Sequence, residues 1–299
     1  MHESRPLLFG LCVFGMLLSG CQTMRRYGPM APAVTACREY SQQGLIALEQ
    51  EHWELAEQLF SKAVETCPDD VDARRHHAEA LWNRGRRDEA VAQLERAIAL
   101  DSENAGLRVR ATAMRLAMGR VESARREIET ALDIDPNLAS AWAMRARVLR
   151  AAGDPARSMA DYHRALGYLP DDRNLLLEMA ELYRERNEPE KALALLHRLI
   201  DTYGPGEEPQ KTLYLEGLAY AALGRLDEAA ESLALASSRG EATPEVLYQL
   251  AMVRSRMGRT RDAVAAAEAA LRLEPNHSPS LRLLDQMGVA RAAEGSTRR

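Results

Sequence analysis

The side chains with the widest chemical reach in this 299-residue sequence are four cysteines, and they sit in unlike places. Cys12 lies inside a charge-free run from Leu7 to Leu18, Cys21 follows that run behind the small residues Ser19 and Gly20, and Cys37 and Cys67 lie in the polar chain beyond. A thiol can be acylated, oxidised or bound to a metal, and its neighbours decide which. The neighbours here do not build a metal site. There is no CxxC pair, His76 and His77 are adjacent and on a helix point to different sides, and His52, His163, His197 and His277 are isolated. HExxH, a glycine-rich phosphate loop and a nucleophile-elbow serine are also missing. The acidic pairs Asp69-Asp70, Asp171-Asp172 and Glu207-Glu208 fall in turns, where they read as solvated helix-start residues. The expectation is a protein that is not an enzyme, with no metal, no cofactor and no evident small-molecule substrate.

Residues 1–20 differ from the rest: Arg5 and the amino terminus precede twelve uncharged residues, too few to cross the hydrocarbon layer, which takes about 20. This reads as a signal peptide. Leu18-Ser19-Gly20-Cys21 resembles the lipobox of bacterial lipoproteins at all four positions. The resemblance implies cleavage before Cys21 and covalent lipid on its thiol; several acyl chains at one terminus make release from a membrane negligible. Gln22, where an Asp would imply retention at the inner membrane, implies the outer membrane's periplasmic face. The alternative is an ordinary secretory signal in which Cys21 is incidental. Residues 21–36 carry two prolines and a glycine without helical periodicity and read as a tether, with a reach of roughly 20–25 Å.

The elements beyond the tether must come mostly from Ala, Leu, Glu and Arg, since aromatics make up 5% of the chain and β-branched residues are sparse; the expectation is all-α. The chain also rhymes with itself. "AVETCPDD" at 63, "AIALDSEN" at 97, "ALDIDPNL" at 131 and "ALGYLPDD" at 165 recur every 34 residues, as do Gly85, Gly119 and Gly153 and Ala56, Ala90 and Ala124. A 34-residue period with a glycine between two amphipathic halves and a closing proline resembles the tetratricopeptide repeat, a helix, turn, helix unit. The resemblance implies a right-handed α-solenoid of about seven repeats, 37–70, 71–104, 105–138, 139–172, 173–206, 210–243 and 244–277. The bulky signature position is Phe60, Leu94, Ile128, Tyr162, Leu196 and Leu233, weakened to Ala267. Asn187 replaces the turn glycine and reads as tolerated variation. Residues 278–288 are expected to form a capping helix, needed because an end repeat lacks a neighbour, and 289–299 a frayed tail.

Within such a hairpin Cys37 opens the first helix and Cys67 closes the second, so the two should meet at one end. They are a candidate disulfide in an oxidising compartment; two small buried thiols are the alternative. Tetratricopeptide arrays bind peptides or protein domains along a concave face lined by the first helix of each repeat. Projected onto this chain, the resemblance gives a strip of Leu177, Tyr214, Leu218, Tyr248 and Met252, edged by Arg147, Arg150, Arg184 and Arg256, with Glu181 and Glu185 between. Tyrosine and arginine are common binding anchors. The alternative is that these residues pack between helices. A net charge of −5 and scattered arginine pairs argue against nucleic acid. The expected function is a membrane-anchored adaptor for protein or peptide partners of the bacterial cell envelope. Two readings stay open beside it: a pilotin-like assembly factor for type IV pili or secretion machinery, and a non-catalytic partner of an envelope enzyme.

Overall fold

The computed structural model describes residues 32–288. The signal segment 1–20, Cys21, most of the tether and the tail 289–299 lie outside the described residues. Every regular element described is an α-helix: α1 (Pro32–Glu49), α2 (Trp53–Thr66), α3 (Val71–Asn83), α4 (Arg87–Leu100), α5 (Ala105–Ala117), α6 (Val121–Ile134), α7 (Ala139–Ala151), α8 (Pro155–Tyr168), α9 (Arg173–Glu185), α10 (Pro189–Ile200), α11 (Gln210–Ala222), α12 (Leu226–Ser238), α13 (Pro244–Arg256), α14 (Thr260–Leu273) and α15 (Ser278–Gln286). No described helix is long and apolar enough to cross a membrane. The first helix corrects the tether boundary. It starts at Pro32, five residues before 37, because proline's fixed φ suits the first helical position and its missing amide hydrogen costs nothing there.

The chain divides into two compact units, residues 1–114 and 115–299. In the first, α1 pairs with α2 and α3 with α4. Its core holds Phe60 and Leu94, both fully buried, among the alanines Ala56, Ala63, Ala90 and Ala97. In the second, the hairpins are α7/α8, α9/α10, α11/α12 and α13/α14, with α15 against α14 and α13. Ile128, Tyr162, Leu196 and Leu233 are at most 1% exposed, and Ala267 is fully buried. The bulky signature positions are thus the centre of each hairpin's packing.

A second periodic position faces them. Gly44, Ala78, Thr112, Ala146, Ala180, Gly217 and Ala251 recur along the first helices and are all buried. A Cβ on Gly44 would stand 2.8 Å from the Phe60 ring, and one on Gly217 2.6 Å from Leu233 Cγ. Here only glycine admits the bulky partner.

Asn187 does what the turn glycines do. Its φ of 58° is left-handed, as is the 80° of Gly153, and asparagine is among the few side chains that take that region readily. The Asn187 amide donates to the Arg184 carbonyl and the Glu188 amide to that of Tyr183, each at 2.9 Å, closing the end of α9.

His76 and His77 on α3 predict a pH response of the first unit. Burial lowers both imidazole pKa values below 6.5, and the Arg75 guanidinium, 2.9 Å from His76 Nε2, opposes a second positive charge. As pH falls below about 6.5, the unfolded chain takes up protons that the folded chain refuses, so stability falls until pH passes the lowered folded pKa. Thermal melts should therefore shift downward between pH 7.5 and 5.0, less steeply in a His77→Gln variant. An identical pH slope in that variant would contradict the assignment.

Candidate functional site

The second unit carries a cavity of about 420 Å³ lined by three first helices and one turn. Arg184 ends α9, Asn187 and Pro189 form the turn into α10, Tyr214, Leu218, Ala219 and Ala222 come from α11, and Glu245 and Gln249 from α13. Each contribution follows from the repeat. Helices α9, α11 and α13 are the first halves of successive hairpins, so residues one turn apart on each fall on one face. The floor is apolar, from Leu218, Ala219, Ala222 and Pro189, and the rim is polar. This is the usual build of a site that accepts side chains of a partner.

The rim's charges are unequally satisfied. Glu245 Oε1 accepts from Gln249 Nε2 at 2.8 Å and from the Tyr214 hydroxyl at 3.4 Å, while its Oε2 lies 3.8 Å from His277 Nε2. Burial and the Glu245 carboxylate push the Tyr214 phenol up to about 12, so it stays a protonated donor at physiological pH. Arg184 is exposed and, among the described residues, makes no ion pair or hydrogen bond with its side chain. It is a cation waiting on the rim.

The other expected arginines are spent within the fold. Arg147 Nε and Nη2 grip Glu178 at 2.8 and 2.7 Å, and Glu178 also accepts from the Tyr162 hydroxyl at 2.6 Å. Arg150 pairs with Glu185 and, at 4.0 Å, with Glu181, which also holds Lys211 at 2.6 Å. These bonds tie α7 to α9 and α9 to α11 rather than edging a groove with positive charge. Of the expected strip, Tyr214, Leu218 and Arg184 meet in the cavity. Leu177 is half-buried on α9 outside its lining. Tyr248 sets its ring against His277, 5.8 Å between centroids, and with Met252 packs on the core of α12–α15.

The cavity also holds residues the sequence reading passed over: Asn187, Pro189, Ala219, Ala222, Glu245 and Gln249. Glu245 and Gln249 had a signal, for Glu245 lies one turn before Tyr248, and Gln249 one turn after Glu245, on the helix that supplied the strip. The cysteine pair is placed in the first unit, where Cys37 is buried, Cys67 is half-buried and both are free thiols. Among the described residues no group of three or more His, Cys, Asp or Glu side chains is placed to hold a metal ion.

Comparison with known proteins agrees with the helical hairpins. Models of the tetratricopeptide repeat match residues 41–105, 84–148, 149–215, 211–234 and 244–277, well over half of the chain. The cellulose synthase operon protein C of Xanthomonas axonopodis pv. citri (strain 306) is 24% identical over 265 residues, 82% of this chain; the chain spans 17% of that relative's length. Among solved structures, PilF of Pseudomonas aeruginosa is 21% identical with a TM-score of 0.60, covering 70% of this chain and 93% of its own. PilW, described as a widely conserved type IV pilus biogenesis factor, is 16% identical with a TM-score of 0.61, covering 68% of this chain and 92% of its own. YrrB, described as a TPR protein with an unusual peptide-binding site, is 18% identical with a TM-score of 0.57, covering 64% of this chain and 97% of its own. By its hairpins, their buried signature positions and these matches, the chain belongs to the tetratricopeptide repeat family.

Proposed function

We propose that this protein is a lipid-anchored, non-catalytic adaptor of the bacterial envelope that holds an extended segment of a partner protein against α9, α11 and α13. The observation that carries the reading is the cavity with the exposed Arg184 guanidinium on its rim, which makes no ion pair or hydrogen bond among the described residues. Its apolar floor takes a side chain, Asn187 and Gln249 offer amides to a passing backbone, and Arg184 prefers a segment with an acidic residue. Arg147, Arg150 and Lys211 are paired with Glu178, Glu185 and Glu181, and Arg256 donates to the Ala221 carbonyl. The peptide-binding site in the description of YrrB supports the mode.

The anchor rests on Leu18-Ser19-Gly20-Cys21, with lipid on the Cys21 thiol and the folded part tied to the outer membrane's periplasmic face. A second reading, assembly of type IV pili, is supported by the likeness to PilW, a pilus biogenesis factor by its description. The partner would then be a pilus component.

Two experiments test the parts separately. Cys21→Ser should abolish metabolic labelling with palmitate and move the protein from the membrane fraction to the soluble one; unchanged labelling and fractionation would remove the anchor. Titration of the purified protein with extended peptides that differ only in Glu against Gln should show tighter binding of the acidic member. Equal affinities would remove Arg184 as the selecting group.

A further inference from the structure

Helix α1 is the first described element of the first unit. It packs on α2 and slightly on α3, and it leaves Val34, Leu45 and Ile46 more than a third exposed. A tetratricopeptide hairpin relies on stacked neighbours for its apolar faces, and among the described residues nothing precedes α1. If the chain is tethered through Cys21, any pull on the folded part also enters through this helix. The structure places two thiols where a staple would hold it.

We propose that Cys37 and Cys67 form a disulfide in the native protein, fastening α1 to the end of α2. Cys37, 2% exposed, lies on the face of α1 that meets α2, in one buried cluster with Ala63 and Ala73. Its Sγ is 3.5 Å from the Ala63 carbonyl oxygen, which it donates to, and 3.7 Å from Asp70 Oδ2. Cys67 ends α2, its amide donating back to the Ala63 carbonyl, and its side chain packs on the same cluster. Both cysteines therefore converge on Ala63 from neighbouring helices, their side chains packed in one cluster. No other cysteine is found among the described residues to compete for either.

The two thiols have unequal roles in forming the bond. Burial, Cys67 and the Asp70 carboxylate push the Cys37 thiol up to about 12, so it is a poor first nucleophile. Cys67 is the more exposed, and its thiolate attacks a disulfide supplied by a thiol-disulfide oxidant. One sulfur of the oxidant leaves as a thiolate, and Cys67 is held in a mixed disulfide. Cys37 then attacks Cys67 Sγ, its proton passing to the departing sulfur of the oxidant. Two protein thiols become one disulfide and the oxidant's disulfide becomes two thiols, a two-electron exchange.

An oxidising compartment is required, so the bond in cells rests on the reading of residues 1–20 as an export signal, whereas the pairing itself does not. Full-length protein taken from its host would be alkylated under denaturing conditions without reductant and digested with trypsin. The expected product is a linked pair of peptides, 27–38 and 63–74, 2 Da lighter than the sum of the two, lost in Cys37→Ser and in Cys67→Ser. Reduction should lower the thermal midpoint of the wild type by roughly 5–10 °C and leave that of either variant unmoved. Alkylation of both thiols in protein taken directly from cells would overturn the proposal. Treating an unalkylated sample of that protein with glutathione disulfide then locates the fault: a bond that forms condemns the compartment, and thiols that stay free condemn the pairing.

Discussion

Replacing Phe60 with alanine should cost the first unit about 3–5 kcal/mol, the range for emptying a fully buried aromatic site. The Phe60 ring is 0% exposed. It is enclosed on one side by Gly44, whose position admits no Cβ, and on another by His76, stacked at 5.4 Å with 20° between ring planes. Neither wall can collapse inward cheaply, since one is backbone and the other a ring held on α3. Gly44→Ala tests the same contact from the other side and should cost about 1–3 kcal/mol by overpacking. In a Phe60→Leu background the added methyl has room, so the two changes should couple by more than about 0.5 kcal/mol. Chemical denaturation of the wild type, the three single variants and the Gly44→Ala/Phe60→Leu double variant reads all of this. A loss under about 1 kcal/mol for Phe60→Ala, or strict additivity of the pair, would show that the hairpin is not centred on this contact.

Arg184→Glu should weaken capture of the partner segment at least tenfold, and Tyr214→Ala by a similar or larger factor, each tenfold being about 1.4 kcal/mol. The two act differently. Reversing Arg184 adds a second negative charge to the cavity that Glu245 lines and repels the acidic residue it should attract, so its effect should shrink as salt is raised. Removing the Tyr214 ring takes a wall from the cavity and a donor from Glu245, an effect salt does not rescue. Arg147→Ala, by contrast, should act mainly on stability, because it strips Glu178 of a bidentate partner. Equal loss of binding in all three variants, with equal loss of stability, would make the groove effect a folding effect.

The architecture was legible because packing repeats at a fixed spacing. Ala56, Ala90 and Ala124, or Gly85, Gly119 and Gly153, mark the same contact in successive hairpins, and a period of 34 leaves few other folds. Asn187 shows the limit of reading by residue type. It looked like a tolerated departure, yet it holds the left-handed backbone that the turn requires. Gly44 and Gly217 were passed over because glycine within a helix reads as a cost, and its purpose appears only with the ring or leucine it admits.

The groove was legible in part. Projection along the first helices reached Arg184, Tyr214 and Leu218, but it could not assign ion pairs. Arg147 and Arg150 meet carboxylates 31 and 35 residues ahead, one hairpin on, and whether they stay free depends on which acidic residues face them across that gap. Tyr248 and Met252 share the face of Tyr214 in projection, but they lie half-buried against the core of α12–α15, with the Tyr248 ring against His277, and do not line the cavity.

The central claim is that a partner protein lies in the cavity beside Arg184. The most direct test places a photo-crosslinking residue at Ala222, which is exposed and lines that cavity, and a control at Glu231 on the exposed side of α12, in the native host. The expected result is one partner captured from Ala222, absent from Glu231, and lost when Arg184→Glu is added. Capture that is equal from both positions, or that persists unchanged with Arg184→Glu, would contradict the account.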